Sequence, residues 1–392
     1  MDNFTFYSPT FFVFGKGTQH EAGQYVSRFG GTKVLIHYGG GSAQRSGLLD
    51  AVKQSLQKEG IAFCELGGVQ PNPRSGLVYE GIELARKEKA DFVLAVGGGS
   101  VIDSAKAIAA GAVYDGDFWD YYQGRVVEKS LKVATILTIS AAGSEGSGDS
   151  VVTHEDGMFK RATTGHCLRP VFSILNPELL QTLPPYQTAC GVTDIMAHVF
   201  ERYLTNNADV EITDRLCESI LLTMIKEGPK AVADASDYQS RANIMWAGMV
   251  AHNNVCGVGR SHDWASHDLE HELSSQYDVA HGAGLAVVMP AVMKYNVNHN
   301  PLRFAQMAVR VWGCQMNFEN PLATALEGIA CFKSFLSSIG MPVSFAEMGA
   351  KEEDIPAMAE KCCYGDGRTG NVGGFVSLGQ KDVENIYRSV LT

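Results

Sequence analysis

Asp194 and His198 stand four residues apart in the stretch Thr193-Asp-Ile-Met-Ala-His198, inside a helical pattern. That spacing places both side chains on one helix face, about 5–6 Å apart at Cβ, close enough to grip a single cation. Further on, four of the eleven histidines fall between His262 and His281. One carboxylate and three imidazoles, with a position left open for substrate, suit zinc or ferrous iron. A metal held that way polarises a carbonyl or stabilises an alkoxide. The bland alternative is that a lone helical histidine packs or faces solvent, and that polar i,i+4 pairs are ordinary helix stabilisers. The clustering of four histidines weighs against it.

The same stretch admits a second chemistry. His267-Asp-Leu-Glu-His271 fits H-x-x-E-H, the inverted zinc-peptidase pattern, with His267 and His271 on the metal and Glu270 as general base. It is a five-residue pattern that chance supplies often, and it leaves the glycine-rich turns without a task.

Those turns are two. Phe92-Val-Leu-Ala-Val-Gly-Gly-Gly-Ser100 followed by Val101–Ala112 reads as strand, glycine turn and helix. Glycines let the backbone approach a pyrophosphate, and the helix start offers N–H groups and the positive end of its dipole. Ser100 is placed to cap that helix, with Asp103 three residues on. The turn is neither G-x-G-x-x-G nor a P-loop. The second turn, Tyr38-Gly-Gly-Gly-Ser42, ends the first strand of the pattern. A dinucleotide fold often carries an acid there for the adenosine ribose. This chain has none, and offers amides, the Ser42 hydroxyl and Arg45 instead, which favours NADP(H) over NAD(H).

The elements needed to position these groups differ between the two halves. Up to about Leu180, apolar runs (Lys33–His37, Ile61–Leu66, Asp91–Val96, Val133–Ile139, Val171–Leu175) alternate with helical patterns at Ser46–Leu56, Leu77–Glu88 and Val101–Ala112. That alternation predicts a parallel α/β sheet. Beyond Asn176-Pro177, long helical patterns take over at Ala189–Tyr203, Glu211–Lys226 and Ala323–Ser338. The expected organisation is an α/β dinucleotide-binding domain over residues 1–180 and an all-helical metal and substrate domain over 181–392.

Bulk composition excludes several partners. The chain has 392 residues, 45% hydrophobic and 19% charged, with a formal net charge of −11. That charge, without any basic run, argues against nucleic acid and anionic membranes. No window approaches a transmembrane length, and the N-terminus MDNFTFYSPTFFVFGKG does not read as a signal peptide. Nine scattered cysteines without a CxxC pair fit reduced thiols, hence a cytoplasmic enzyme.

Taken together, FGKG at 14–17, VLIHYGGGS, PNPR at 71–74, AVGGGSVIDSAKAIAAG, ILTISAAGSE, TDIMAH, HDLEHELSSQYDVAHG and VWG at 311–313 resemble the iron-containing (group III) alcohol dehydrogenases, nearest the bacterial butanol dehydrogenase branch. The resemblance runs the length of the chain. It implies a dehydroquinate synthase-like architecture and hydride transfer between NAD(P)H and a small aliphatic aldehyde or alcohol such as butanal or butanol. It implies a divalent metal (iron, zinc or nickel) on Asp194, His198, His267 and His281, with His271 beside it positioning substrate or relaying a proton. It further implies that Gly98, Gly99, Ser100 and Asp103 hold the pyrophosphate and nearby nicotinamide portion, that Thr138, Ser140 and Lys160 line the cofactor groove, and that Gly40, Gly41 and Ser42 take the 2′-phosphate end. Members commonly form homodimers through the N-terminal strand. This chain departs from the pattern at Ala142, where many members of the family carry a threonine hydroxyl, and at the flexible Gly146-Ser-Gly148. A glycerol-type dehydrogenase or a sugar-phosphate cyclase of the same fold, the peptidase, and a metal-stabilised binding protein remain as alternatives.

Overall fold

The structure, a computed structural model, describes residues 1–392. The chain divides into two compact units: Tyr7–Leu183, and Pro184–Thr392 joined by the first six residues, Met1–Phe6. The sequence pattern put the change of texture near Leu180 and gave no sign that residues 1–6 belong with the helices.

In the Tyr7–Leu183 unit, β1 (Phe11–Phe14), β2 (Lys33–Gly39), β3 (Ala62–Val69), β4 (Phe92–Gly97), β5 (Lys132–Leu137) and β8 (Phe172–Leu175) form one sheet in the order β1-β8-β5-β4-β2-β3, parallel throughout. Central strands of such a sheet are covered on both faces and so read as unbroken apolar runs. All six residues of β4 are buried. Leu94, Val96, Ile36 and Ile174 pack on one face, while Leu35 packs on the other with Val78 and Ile108. Between β6 (Asp149–His154) and β7 (Phe159–Thr164) lies an antiparallel hairpin that the sequence reading left unassigned. Its signal was present: Asp156-Gly157 sits in the connecting loop, between runs rich in Val and Thr. β1 was also unassigned, being four residues long and at the sheet edge.

The strand order decides where a ligand can sit. From β2 the chain moves outward to β3, then returns past β2 to β4 and continues in the opposite direction. The crevice at such a reversal, outside the carboxyl ends of the strands, is the binding position of open α/β sheets. Register pairs Tyr38 of β2 with Val96 of β4, so both glycine turns leave the sheet side by side at that reversal.

Nine helices of nine or more residues build the other unit, from Pro185–Tyr203 to Gln380–Arg388. Two start earlier than their apolar spacing suggests. Pro185 and Pro321 occupy first-turn positions, where the missing N–H costs nothing. Expected to end near Lys226, the third pattern runs on as Glu211–Ala233 through Pro229 and buries Ala231. No helix is long and apolar enough to cross a membrane.

Candidate metal and cofactor sites

Asp194 and His198 lie one turn apart on the Pro185–Tyr203 helix, His267 and His271 on the Ala265–Tyr277 helix, and His281 at the first position of the His281–Asn296 helix. The fold gathers them around one oxygen. Asp194 Oδ1 is 3.4 Å from His198 Nδ1, 3.9 Å from His267 Nε2 and 3.7 Å from His281 Nε2. Ligand atoms of Asp194, His267 and His281 all lie within 4.8 Å of one another. His198 touches this set through Asp194, with its ring 4.7 Å from that of His267. His271 belongs instead with Glu270 and His281 in a second close group, its ring 5.8 Å from that of His281.

Carboxylates behind the rings fix which nitrogen faces inward. His267 Nδ1 lies 2.9 Å from Glu201 Oε1, and His281 Nδ1 contacts Glu270. Each Nδ1 donates its proton to a carboxylate, so each Nε2 turns a lone pair toward Asp194. Burial, with the neighbouring His252 and His267 rings, holds His198 well below the usual imidazole range, in the neutral form that binds metals. Lone pairs facing a carboxylate oxygen repel unless a cation lies among them. Two ligands each about 2.1 Å from a shared tetrahedral ion stand about 3.4 Å apart, which is close to the separations here. The donor set therefore fits a divalent metal.

That geometry also bears on the peptidase reading. Glu270, which would have to be an accessible general base, is fully buried and engaged by His281 and Ser274. It supports a ring instead of facing an open position.

At the glycine turns, Gly98 is the N-cap of the Gly99–Ala112 helix and no side chain caps it. Ser100 is already inside the helix, so it does not cap it as its position suggested. Val101 N and Ile102 N donate to Gly98 O, and no side chain caps the N–H groups of Gly99 and Ser100 ahead of them, an arrangement that suits an anion at a helix start. Space is tight here: a Cβ on Gly98 would come 3.0 Å from Ile139 Cβ, and one on Gly99 would come 3.0 Å from Ala142 Cβ. Thr138 N donates to Gly97 O at 3.0 Å, and the Ser140 hydroxyl, two residues after Thr138, is buried without a hydrogen bond. Asp103 turns inward, accepting from Ser144 Oγ at 2.6 Å and Val151 N at 3.0 Å, and burial pushes its carboxyl up to about 6. Lys160 on β7 is buried, with Nζ 3.0 Å from Asn72 Oδ1. At the other turn, Gly41 has φ 117° and precedes the short Ser42–Arg45 helix, while a Cβ on Gly40 would meet nothing within 4 Å.

Comparison with known proteins places both parts of the chain. Residues 9–177 match the family "iron-containing alcohol dehydrogenase", and residues 188–391 match its C-terminal family, "Fe-containing alcohol dehydrogenase family, C-terminal". The chain belongs to the iron-containing alcohol dehydrogenases. It is 41% identical over 392 residues to a probable NADH-dependent butanol dehydrogenase of Bacillus subtilis, covering 100% of both chains. To an NADPH-dependent aldehyde reductase of Escherichia coli it is 37% identical over 365 residues, 92% of this chain and 93% of that one. The crystal structure of the NADH-dependent butanol dehydrogenase A of Thermotoga maritima superimposes with TM-score 0.97 at 40% identity, over 100% of this chain and 99% of that one.

As an iron-containing alcohol dehydrogenase, the protein is an oxidoreductase working with a nicotinamide cofactor and a metal. Sequence reasoning missed the supporting role of Glu201. It lies three residues beyond His198 and seven beyond Asp194, on the same helical face, so the spacing was available.

Proposed function

We propose that this protein is a metal-dependent aldehyde reductase and alcohol dehydrogenase for small aliphatic substrates of the butanal/butanol kind, working in the cytoplasm. The observation that carries the reading is the convergence of imidazole nitrogens on Asp194 Oδ1. Asp194, His198, His267 and His281 hold a divalent cation, iron or zinc, with nickel as a further occupant. When bound, the metal supplies Lewis acidity to a carbonyl oxygen and the nicotinamide supplies hydride. The protein's own residues do the rest. Glu201 and Glu270 keep the rings in one tautomer and orientation. His271 positions substrate and passes a proton to the product oxygen. Gly98, Gly99 and Ser100 take the pyrophosphate at the open helix start. Thr138, Ser140 and Lys160 line the groove for the nicotinamide half, and Asp103 supports it from within.

Gly40, Gly41 and Ser42 are assigned to the adenosine end, with NADP(H) favoured over NAD(H). No carboxylate lies between Tyr38 and Arg45 to meet the ribose or to repel a 2′-phosphate. Names of relatives include both cofactors, so the preference stands on this turn alone. A homodimer is proposed through β1, an edge strand paired only with β8, whose Phe11 and Phe14 are exposed.

The deciding assay follows oxidation of NADPH and NADH by butanal, on protein whose metal content has been measured. The reading predicts turnover that chelation removes and added iron or zinc restores, faster with NADPH. A filled metal site without oxidation of either cofactor would reject it.

A further inference from the structure

We propose that Lys106 is a positioning residue for the cofactor, holding the segment 141–149 against the Gly97–Gly99 turn; this rests on the cofactor reading above. Lys106 lies on the Gly99–Ala112 helix, two turns after the glycines, and is completely buried. An ammonium taken out of water is costly unless oxygens replace its hydration. Lys106 Nζ meets four: Ser144 O at 2.8 Å, Ser144 Oγ at 2.7 Å, Ser147 O at 3.0 Å and Asp149 O at 2.7 Å. An ammonium has only three protons to donate, so every one is committed to this one segment. Asp103, one turn nearer the glycines, binds the same segment through Ser144 Oγ and the strand just beyond it through Val151 N.

The tethered segment is the one that meets the glycine turn. Ala142 Cβ lies where a Cβ on Gly99 would come to 3.0 Å, and Gly143 turns the chain with φ 65°. One helix therefore carries the open N–H groups at its start and, farther along, the charge that sets the position of the wall beside them. Glycine-rich segments such as Gly143–Gly148 do not hold one conformation by themselves. A buried cation drawing in several backbone carbonyls supplies that order. Burial pulls the Lys106 ammonium down to about 8, with Asp103 opposing, so it is charged at neutral pH.

The test compares the unaltered protein with Lys106→Met, which keeps the length and removes the charge. Dissociation constants for NADPH are measured by its fluorescence, alongside metal stoichiometry, thermal midpoint and hydrogen exchange of residues 141–149. Expected for the variant are unchanged metal content, about tenfold weaker NADPH binding and faster exchange confined to that segment. Should Lys106→Met fail to fold, Ser144→Ala decides, since it removes one acceptor and the Ser144–Asp103 hydrogen bond while leaving the ammonium in place. About threefold weaker NADPH binding is expected there. A lower thermal midpoint with NADPH binding unchanged in the folded variant would overturn the proposal and leave a purely structural lysine. Failure of the unaltered protein to bind either nicotinamide would overturn the cofactor reading, and this proposal with it.

Discussion

Glu201 Oε1 lies 2.9 Å from His267 Nδ1 and 3.0 Å from the backbone N of the same residue. Its other oxygen accepts from Trp264 N at 2.9 Å, where the chain enters the helix with φ 71°. A single buried carboxylate thus aims the ring and pins the helix start that carries it. Replacing it with Gln keeps the shape but weakens the acceptor toward Nδ1–H. Metal affinity of Glu201→Gln, measured by competition with a chromogenic chelator, is expected to fall about 10–100-fold. Affinity equal to that of the unaltered protein would show that His267 orients itself.

His267 and His271 sit one turn apart on the same helix but belong to different close groups of ligand atoms. His267→Ala should lose bound metal and nearly all turnover. His271→Gln should keep its metal and lose rate, about 10²-fold if the imidazole moves a proton. Elemental analysis beside steady-state kinetics separates the two. Loss of metal in His271→Gln would make that residue a ligand.

Gly40 is the one residue of its turn where a side chain has open space around Cβ. Gly40→Asp places a carboxylate where the adenosine end is assigned. We expect kcat/KM for NADPH to drop about tenfold or more while that for NADH is held or improved, through repulsion of the 2′-phosphate and hydrogen bonding to a free ribose. An unchanged cofactor ratio would place the phosphate elsewhere.

His37 is fully buried, with Nδ1 2.9 Å from Leu66 O and Nε2 2.8 Å from Ser104 Oγ. Burial lowers it from 6.5 to about 4. Between those values the unfolded chain binds a proton that the folded chain does not, so folding is favoured above 6.5 and loses that support as pH falls toward 4. The loss amounts to about 3 kcal/mol when complete. Urea midpoints from pH 7 to pH 4 should fall more steeply for the unaltered protein than for His37→Gln. Parallel slopes would assign the acid sensitivity to other groups.

The exposed Phe11 and Phe14 on the β1 edge mark the proposed dimer surface. Phe11→Glu with Phe14→Glu should shift sedimentation from dimer to monomer, as charge on an edge strand blocks pairing. A monomeric unaltered protein, or a dimer that survives both substitutions, would reject that surface.

The sequence made some of this legible and hid the rest, for identifiable reasons. β2, β4 and β5 were readable because strands covered on both faces carry nearly continuous apolar runs, such as Val34–Ile36 and all of β4. The ligand candidates were readable because imidazoles are rare and four fell close together. Glu201 and Lys106 stayed hidden for the opposite reason. Charged residues on helices face solvent by default, and only the fold shows that these two are buried with their charges met by specific partners. The inward turn of Asp103 depends on Ser144 and Val151, more than forty residues away, which no local pattern encodes.

The helical unit is discontinuous in the chain, because Met1–Phe6 belong to it while Tyr7–Leu183 do not. Asp2 N reaches Gly259 O at 2.9 Å, and Asn207 Nδ2 reaches Asp2 Oδ2 at 2.7 Å. Residues 1–6 are therefore made before the α/β unit but find these partners only once residues 207 and 259 exist. The α/β unit, uninterrupted in sequence, has all it needs to form first on the ribosome, while the helical unit's residues 1–6, which precede it, wait for Asn207 and Gly259 to be made. Assembly of the metal-binding half thereby draws on segments made both before and after the α/β unit, an order written into the chain path.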